Sequence, residues 1–235
     1  PRTLQMAVSG LRDLSVITTA PADRRAVRTI VTRPDRGVLG EAIAREIDRG
    51  GQVFYVHNRV EGLHARAALV AELCPRARVC VAHGRLGERT LERTMVDFVQ
   101  GRYDVLCATA IIENGLDIPL CNTIIVDRAD RYGLAELYQL RGRVGRSNRR
   151  AYAYLLTPPT KYLSSDSLKR LHALEAHSDL GSGFALAMRD LEIRGAGTIL
   201  GARQSRYMEE VGFDMYNRLL EEAVAELRGV TLERP

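Results

Sequence analysis

The stretch Asp104-Val-Leu-Cys-Ala-Thr-Ala-Ile-Ile-Glu-Asn-Gly-Leu-Asp-Ile-Pro119 begins with a short apolar run and ends in turn-forming residues. The run is typical of a buried strand that delivers Thr109 to its carboxyl end, where a short turn then presents Glu113, Gly115 and Asp117. A hydroxyl and free backbone N–H groups at such a turn suit a phosphodiester, and a carboxylate such as Asp117 suits ribose hydroxyls. Taken alone, a capping Thr and an Asp-Ile-Pro turn are common structural features.

Similar apolar runs occur on both sides of this stretch and alternate with helical patterns from residue 27 to residue 157. The predicted strands are Val27–Thr32, Gln52–Val56, Arg78–Ala82, Asp104–Ala108, Thr123–Asp127 and Ala151–Leu156. The helical stripes between them include Leu39, Ala42, Ile43 and Ile47, and further on Leu91, Met95, Phe98 and Val99. Strands separated by helices predict an α/β fold with a mostly parallel sheet flanked by helices. Ligands of such sheets bind beyond the carboxyl ends of the strands, so we expect the chemistry there.

The pattern becomes helical only after Thr157-Pro158-Pro159. One apolar face carries Leu168, Leu171 and Leu174, and a second carries Phe184, Ala187, Met188 and Leu191, with Gly181 and Gly183 between them. This arrangement predicts an αα-hairpin, followed by a glycine-rich stretch and a last helix. The predicted organisation is a tail and linker (1–25), an α/β domain (26–157), a helical hairpin and loop (158–206) and a C-terminal helix (207–235).

Composition sets few limits on function. The chain has 235 residues and a net charge of +5, which permits a polyanionic partner without requiring one. No apolar run approaches the roughly 18 residues of a membrane span, and we expect no membrane partner. The start, Pro1-Arg-Thr-Leu4, has no signal-peptide plan and no Met, so we interpret it as internal to a longer cytoplasmic protein. The cysteines show no metal-binding spacing, and we expect Cys80 and Cys107 to be buried thiols.

A second constellation is Gln139-Leu-Arg-Gly-Arg-Val-Gly-Arg146. Arg143 and Arg146 are three residues apart, so on a helix they project from one side about one turn apart. The flanking glycines, Gly142 and Gly145, suggest that another backbone must approach closely. Guanidinium groups suit a phosphate whose charge grows during transfer, which predicts an arginine finger acting on ATP. A solvated surface cluster would explain the arginines but not the glycines.

Two further strand ends carry polar residues. His83 and Gly84 follow the apolar pair Val81-Ala82, and Asn58 and Arg59 follow the strand predicted at Gln52–Val56. His83 has no second metal ligand nearby in the sequence, so a contact to a nucleic-acid backbone, or simple packing, is the better interpretation. Neither segment is specific by itself.

Together and in this order, these segments resemble the motifs of the second RecA-like domain of superfamily 2 helicases and translocases. Residues 52–59, 81–84, 104–119 and 139–146 resemble motif IV, the His-Gly element, motif V and motif VI. DEAD-box RNA helicases have a His where this chain has Gly142. The stretch from Asp179 to Gly197, with residues 201–205, resembles the translocation motif of the group that contains RecG-type helicases and bacterial transcription-repair coupling factors. The sequence Leu-Glu-Ile-Arg-Gly-Ala-Gly197 resembles the coupling factors more than the RecG-type helicases.

The resemblance implies roles for individual residues. Arg143 and Arg146 would reach the γ-phosphate across an interdomain cleft, with Arg146 the better finger candidate, and Gln139 would orient them. Gly115 and Asp117 would lie beside the nucleotide. The expected DNA-contacting residues are Thr109, His83, Gly84, Asn58 and Arg59, and the expected coupling residues of the hairpin and loop are Arg170, Arg194 and Gln204.

The resemblance also implies cofactors and partners. The intact protein would use ATP and Mg²⁺, held mainly by a first RecA-like domain, because no G-x-x-x-x-G-K-[ST] loop occurs in this sequence. We therefore expect the isolated chain to be inactive as an ATPase. The expected partners are double-stranded DNA, that first motor domain and, through domains outside this chain, RNA polymerase and nucleotide-excision repair proteins.

Three other interpretations stay open at the level of sequence. A RecG-type branch-migration helicase would have the same chemistry and differ in modules outside this chain. A non-catalytic nucleic-acid-binding module would explain the basic residues but not the glycines beside Arg143 and Arg146. A flavodoxin-like small-molecule enzyme would match the strand pattern alone, but it would need an early phosphate-cradling loop, and none is visible.

Overall fold

The computed structural model describes residues 26–109, 118, 120–177, 179 and 181–194. The chain forms two compact units, one spanning Ala20–Leu180 and the other made of Pro1–Thr19 with Gly181–Pro235. The predicted tail at residues 1–25, the loop after residue 194 and the predicted C-terminal helix lie outside the described residues. None of the helices in the described part is long and apolar enough to cross a membrane.

In its described residues the first unit has six strands and five helices, and the described part of the second unit has one helix. The strands are β1 (Arg28–Thr32), β2 (Gln52–Val56), β3 (Val79–Ala82), β4 (Val105–Ala108), β5 (Cys121–Val126) and β6 (Tyr152–Leu156). The helices are α1 (Arg36–Asp48), α2 (Leu63–Leu73), α3 (Glu88–Val99), α4 (Leu134–Arg141), α5 (Ser165–Ala176) and, in the second unit, α6 (Gly183–Arg194).

The six strands form one sheet in the order β1-β6-β5-β2-β4-β3, and every pairing between neighbours is parallel. This confirms the predicted α/β fold with a parallel sheet. All residues of the three central strands β5, β2 and β4 are buried, as expected when helices cover both faces of a sheet. The strand predictions succeeded because fully buried strands are short, continuous apolar runs.

Helix α2 was not predicted, because its apolar stripe is weak. Alanines and other apolar residues lie on every side of its sequence, LHARAALVAEL, so no distinct polar face marks it, and only Leu63 and Val70 are buried. The helix begins after Gly62, which has a left-handed backbone with φ 97° and allows the chain to turn directly from the end of β2.

The core on one face of the sheet is formed by α1, α2 and alternate residues of the strands. Its members are Leu39, Ala42, Ile43, Val53, Tyr55, Leu63, Val70, Cys74, Val105, Cys107, Ile125, Tyr154 and Leu156. Cys80 and Cys107 are buried free thiols, as predicted. Burial raises the pKa of Cys80 to about 12, so this thiol is unreactive at neutral pH.

Both helices of the predicted hairpin form. In the first unit, α5 starts at the capping hydroxyl of Ser164, which accepts a hydrogen bond from the Ser167 backbone N–H, and packs against β1, α4 and the short 3₁₀ turn Ala129–Arg131. In the second unit, α6 carries an ion pair between Arg189 and Glu192. The predicted domain boundary between residues 157 and 158 stays a prediction.

Candidate functional site

Four neighbouring strands end in polar residues at one edge of the sheet. Asp127 follows β5, His57 and Asn58 follow β2, Thr109 follows β4 and His83 follows β3. These strands are adjacent in the order β5-β2-β4-β3 and run parallel, so their carboxyl ends meet at the same edge. Three residues that the sequence predicted for nucleic-acid contact, Asn58, Thr109 and His83, are therefore brought together by the sheet.

Each of these three residues has a buried polar atom whose hydrogen bonding is incomplete. Within the described part of the chain, Asn58 Oδ1, His83 Nδ1 and Thr109 Oγ1 are buried and have no hydrogen-bond partner. Buried polar groups are normally paired, and leaving one unpaired costs about 1–3 kcal/mol. Three such atoms lie on adjacent strand ends, and we name the ends of β2, β4 and β3 the candidate binding edge, where an external ligand would complete these hydrogen bonds.

The His83 ring is held by its surroundings. The ring of His64, on α2, meets it edge to face with centroids 6.2 Å apart and an interplanar angle of 81°. His83 is also buried, at 8% exposure. The exposed residues Gly84 and Arg59 follow His83 and Asn58 in the sequence, so backbone and a cationic side chain lie at the outer rim of the edge.

A buried carboxylate joins two of the strand ends to α2. Asp127 Oδ2 lies 2.6 Å from Arg66 Nε and 3.1 Å from His57 Nδ1. Burial first, and then the charge of Asp127, raise the pKa of the Tyr55 hydroxyl, so this tyrosine stays neutral beside the carboxylate. The cluster orients the loop that carries Asn58. Sequence analysis missed Asp127, His57 and Arg66, although two of them follow strands directly.

The segment with the candidate arginine finger differs from its prediction in one respect. Arg143 and Arg146 do not lie on a helix, because α4 ends at Arg141 and the chain then turns. Gly142 is the C-cap of α4, so the helix has already ended before Arg143, and the left-handed backbone of Gly145, with φ 76°, keeps the helix from resuming before Arg146. Among the described residues, a Cβ on Gly142 would contact only carbonyl oxygens of its own turn, at 3.4 Å or more, and the close approach of a backbone from another domain stays a prediction.

The candidate arginines nevertheless lie at the surface of the unit. Arg146 and Gln139 are exposed, and Arg143 is half-buried. Ser147, the next residue, donates a 2.7 Å hydrogen bond to Asn122 at the start of β5. This hydrogen bond places the arginine segment at the amino end of β5, whereas the candidate binding edge lies at the carboxyl ends of the strands. A six-residue strand spans about 17 Å, so the two regions lie at opposite ends of the sheet.

Arg141 belongs to the same basic run but has a different role. It is buried, at 5% exposure, and donates a 2.9 Å hydrogen bond to the Leu174 carbonyl of α5. Its guanidinium lies 5.1 Å from the centre of the Tyr138 ring. Burial lowers the pKa of this guanidinium, yet arginine remains charged at any physiological pH. Arg141 therefore connects α4 to α5 and is not available to a ligand.

Substitution Arg141→Ala is expected to lower the free energy of unfolding by about 2–4 kcal/mol, because a charge-assisted hydrogen bond and a cation–π contact are both lost. Urea denaturation of the chain, followed by circular dichroism, measures this change. The matched control is Arg150→Ala, whose exposed side chain should change the unfolding free energy by less than about 0.5 kcal/mol. Equal effects of the two substitutions would contradict the structural role of Arg141.

Of the predicted coupling residues, Arg170 is the one with described contacts. Its Nη2 atom lies 3.0 Å from Ser167 Oγ and 3.4 Å from the Asp130 carbonyl oxygen. Arg194 is the last residue of α6. Gln204 and the predicted nucleotide-contacting residues Gly115 and Asp117 lie outside the described residues.

The described residues bring together no group of three or more His, Cys, Asp or Glu side chains that could hold a metal ion. The described residues contain two candidate functional regions. One is a hydrogen-bonding edge at the carboxyl ends of β2, β4 and β3, and the other is a surface arginine segment after α4.

Comparison with known proteins gives these features a context. Residues 37–148 match the family described as "Helicase conserved C-terminal domain". Transcription-repair-coupling factors are similar over nearly the whole chain: 57% identity over 97% of the chain for that of Escherichia coli K12, and 55% over 97% for that of Myxococcus xanthus. The chain spans only about a fifth of the length of these curated relatives (20% and 19%).

Solved structures support the same fold. A RecG structure, described as bound to a three-way DNA junction, aligns with a TM-score of 0.69 and 31% identity over 94% of this chain and 29% of RecG. The L327V variant of the S. cerevisiae protein Dbp5, bound to RNA and ADP BeF3, aligns with a TM-score of 0.52 and 18% identity over 74% of this chain and 46% of its own, which is a likeness of fold alone. The fold is the RecA-like fold of helicase C-terminal domains.

Proposed function

We propose that this chain is the second motor domain and translocation module of an ATP-dependent translocase on double-stranded DNA. The proposal is supported by the match of residues 37–148 to the helicase conserved C-terminal domain and by the similarity of nearly the whole chain to transcription-repair-coupling factors. The intact protein would displace stalled RNA polymerase and couple transcription to DNA repair. The observation that carries the proposal is the row of buried, unpaired polar atoms on Asn58, Thr109 and His83.

The binding edge suits the sugar-phosphate backbone of DNA. The Thr109 hydroxyl and an N–H of His83 can donate hydrogen bonds to phosphate oxygens, and neither distinguishes one base from another. Asn58 Oδ1 is an acceptor, so it would meet a phosphate only through a bridging water. The exposed Arg59 adds a positive charge at the rim. This chemistry favours a nucleic-acid backbone over a neutral small molecule, whose recognition needs an enclosed apolar pocket.

The arginine segment suits nucleotide hydrolysis. Arg143 and Arg146 would face a nucleotide that another motor domain holds, and would stabilise the charge that develops on the γ-phosphate. Gln139, Gly115 and Asp117 are proposed to complete the contacts of this chain to the nucleotide. We propose that ATP and Mg²⁺ are held mainly by the first RecA-like domain, because no G-x-x-x-x-G-K-[ST] loop occurs in this sequence.

The wider context is also proposed. The domain organisation is taken as a linker at 1–25, the motor domain at 26–157, the translocation module at 158–206 and a terminal helix at 207–235. RNA polymerase and repair proteins would bind elsewhere in the intact protein. The proposed place of action is the bacterial cytoplasm, where the DNA lies. A RecG-type helicase remains the second candidate, supported by the aligned RecG structure, but identity to the coupling factors is higher.

Binding of this chain to duplex DNA tests the proposal. Fluorescence anisotropy with two labelled duplexes of unrelated sequence should give the same weak affinity for both, falling steeply as salt rises. Arg59→Ala should weaken binding and reduce the slope of log K against log salt by about 1, because one phosphate contact is lost. Thr109→Val should weaken binding without changing the slope, since the hydroxyl carries no charge.

The matched control for Arg59 is Arg93→Ala, an exposed arginine on α3. It should leave both the affinity and the slope unchanged. A preference for one duplex, or equal effects of Arg59→Ala and Arg93→Ala, would contradict a phosphate-binding edge at the ends of β2, β4 and β3.

A further inference from the structure

The chain is anchored on both sides of the candidate finger Arg146. On the amino-terminal side, Arg141 is held by the Leu174 carbonyl. On the carboxyl-terminal side, Ser147 Oγ donates to Asn122 Oδ1 over 2.7 Å. Residues 142–146 lie between the two anchors. Val144, at their centre, is fully buried, and Gly142 and Gly145 on either side of it leave the backbone next to Arg146 dependent on the anchor at Ser147.

Asn122 is a well-oriented acceptor. It is buried, at 1% exposure, and its Nδ2 donates to the Leu120 carbonyl over 3.2 Å. The same carbonyl accepts a 2.8 Å hydrogen bond from the backbone N–H of Gln52, which fixes it at the start of β2. Because the amide nitrogen faces Leu120, the amide oxygen faces Ser147. The orientation of the Asn122 side chain is therefore set by the sheet itself.

The residues after Ser147 are hydrogen-bonded to the amino-terminal edge of the sheet. The Arg149 backbone N–H lies 3.4 Å from Ser147 Oγ, and the Arg149 guanidinium donates to the Arg49 carbonyl. In return, Arg49 donates a 2.7 Å hydrogen bond to the Arg150 carbonyl. The chain beyond the finger thus has several connections to the amino-terminal edge of the sheet, and Ser147 is the connection next to Arg146.

We propose that Ser147 and Asn122 are positioning residues that hold the backbone of Arg146 in the place where its guanidinium meets the γ-phosphate. The inference rests on the proposed function of Arg146 in ATP hydrolysis. Adjacent Cα atoms are about 3.8 Å apart, so fixing Ser147 restricts the backbone of Arg146 directly. A displacement of about 1 Å in a group that acts on the transition state costs on the order of 10²-fold in rate.

The test uses the full-length protein and its DNA-stimulated ATP hydrolysis. Ser147→Ala should lower kcat by about 10- to 100-fold, with KM for ATP changed less than about threefold, because a finger acts on the transition state and not on ground-state binding. Ser147→Thr keeps the hydroxyl and should restore most of the rate. The control Ser165→Ala, at the exposed start of α5, should leave kcat unchanged.

A double-mutant cycle separates positioning from general destabilisation. Asn122→Ala should lower kcat as Ser147→Ala does, and the double variant should be no slower than the worse single variant, because both remove one hydrogen bond. Additive losses, or a kcat that falls only as thermal stability falls, would overturn the inference.

Arg146→Ala, measured in the same assay, separates failure of the positioning role of Ser147 and Asn122 from failure of the proposed role of Arg146 in hydrolysis. If Arg146→Ala abolishes hydrolysis while Ser147→Ala and Asn122→Ala leave kcat unchanged, the positioning role is wrong and the finger stands. If Arg146→Ala itself has no effect, the proposed function of the segment is wrong.

Discussion

Substitution Arg146→Ala is expected to lower DNA-stimulated ATP hydrolysis by the full-length protein by about 10³- to 10⁵-fold, the range typical of arginine fingers. The guanidinium would contribute most when negative charge builds up on the transferred phosphoryl group, so the loss should appear in kcat more than in KM for ATP. The exposed position of Arg146, in a segment anchored by Arg141 and Ser147, is compatible with a side chain that acts on a ligand outside this domain.

The comparison variants for this prediction come from the same segment. Arg146→Lys keeps a positive charge but loses the planar fork, so it should recover little of the rate. Arg150→Ala removes an exposed arginine four residues away and should leave kcat within about twofold, since surface substitutions are usually near neutral. A full-length Arg146→Ala protein with a normal kcat would remove the basis for a finger in this segment.

The same assay applied to the isolated chain completes the experiment. We expect no hydrolysis above background, because the groups that bind the phosphates and Mg²⁺ in P-loop enzymes would come from another domain. Steady turnover by the purified chain, lost on Arg146→Ala, would show that this chain holds the nucleotide by itself and would contradict the proposed division of labour.

Substitution Arg170→Ala is expected to leave DNA-stimulated ATP hydrolysis within about threefold while abolishing movement along duplex DNA, because it removes a mechanical connection and no group that acts on ATP. Arg170, on α5, contacts the Asp130 carbonyl in the turn that precedes α4. That turn is held by a bidentate pair between Arg128 and Asp130, with contacts of 2.8 and 2.9 Å. Arg170 thereby connects α5 to the element that leads into Gln139 and the arginine segment.

Displacement of a third strand from a triplex by the moving protein measures translocation, and phosphate release measures hydrolysis. The neighbouring Lys169→Ala is the matched control, because Lys169 is exposed on the same helix and should affect neither readout. Arg194→Ala is predicted to behave like Arg170→Ala. Parallel loss of hydrolysis and translocation in the Arg170 variant would argue against a coupling role and for a role in folding or catalysis.

The backbone at Arg128 illustrates a feature that no sequence pattern indicated. Its φ of 53° is left-handed, which is uncommon for a residue with a side chain. The conformation is held between the buried Asp127 on one side and the Arg128–Asp130 pair on the other. Such over-determined backbone is found where a turn must keep one shape, in this case between the end of β5 and α4.

Much of the fold could be predicted because apolar runs mark the buried strands and apolar stripes mark most of the helices. The strand Gln52–Val56 was predicted with its observed bounds, and the stripe Leu39, Ala42 and Ile43 correctly marked α1. Helix α2 was missed because apolar residues lie around its whole circumference, which leaves no distinct polar face to detect. The helical placement of Arg143 and Arg146 was wrong because their spacing does not reveal that the helix ends at Arg141, with Gly142 as its C-cap.

By itself, the sequence determined the parallel α/β architecture, the order of its elements and the residue types at the strand ends, because hydrophobic periodicity and turn chemistry are properties of neighbouring residues. Only the tertiary structure decided which of those residues act together. It placed Asn58, Thr109 and His83 on adjacent strand ends, buried Arg141 against α5 and joined Asn122 to Ser147. These pairings depend on strand order and on burial, which arise from contacts between residues distant in the chain and therefore leave no local pattern.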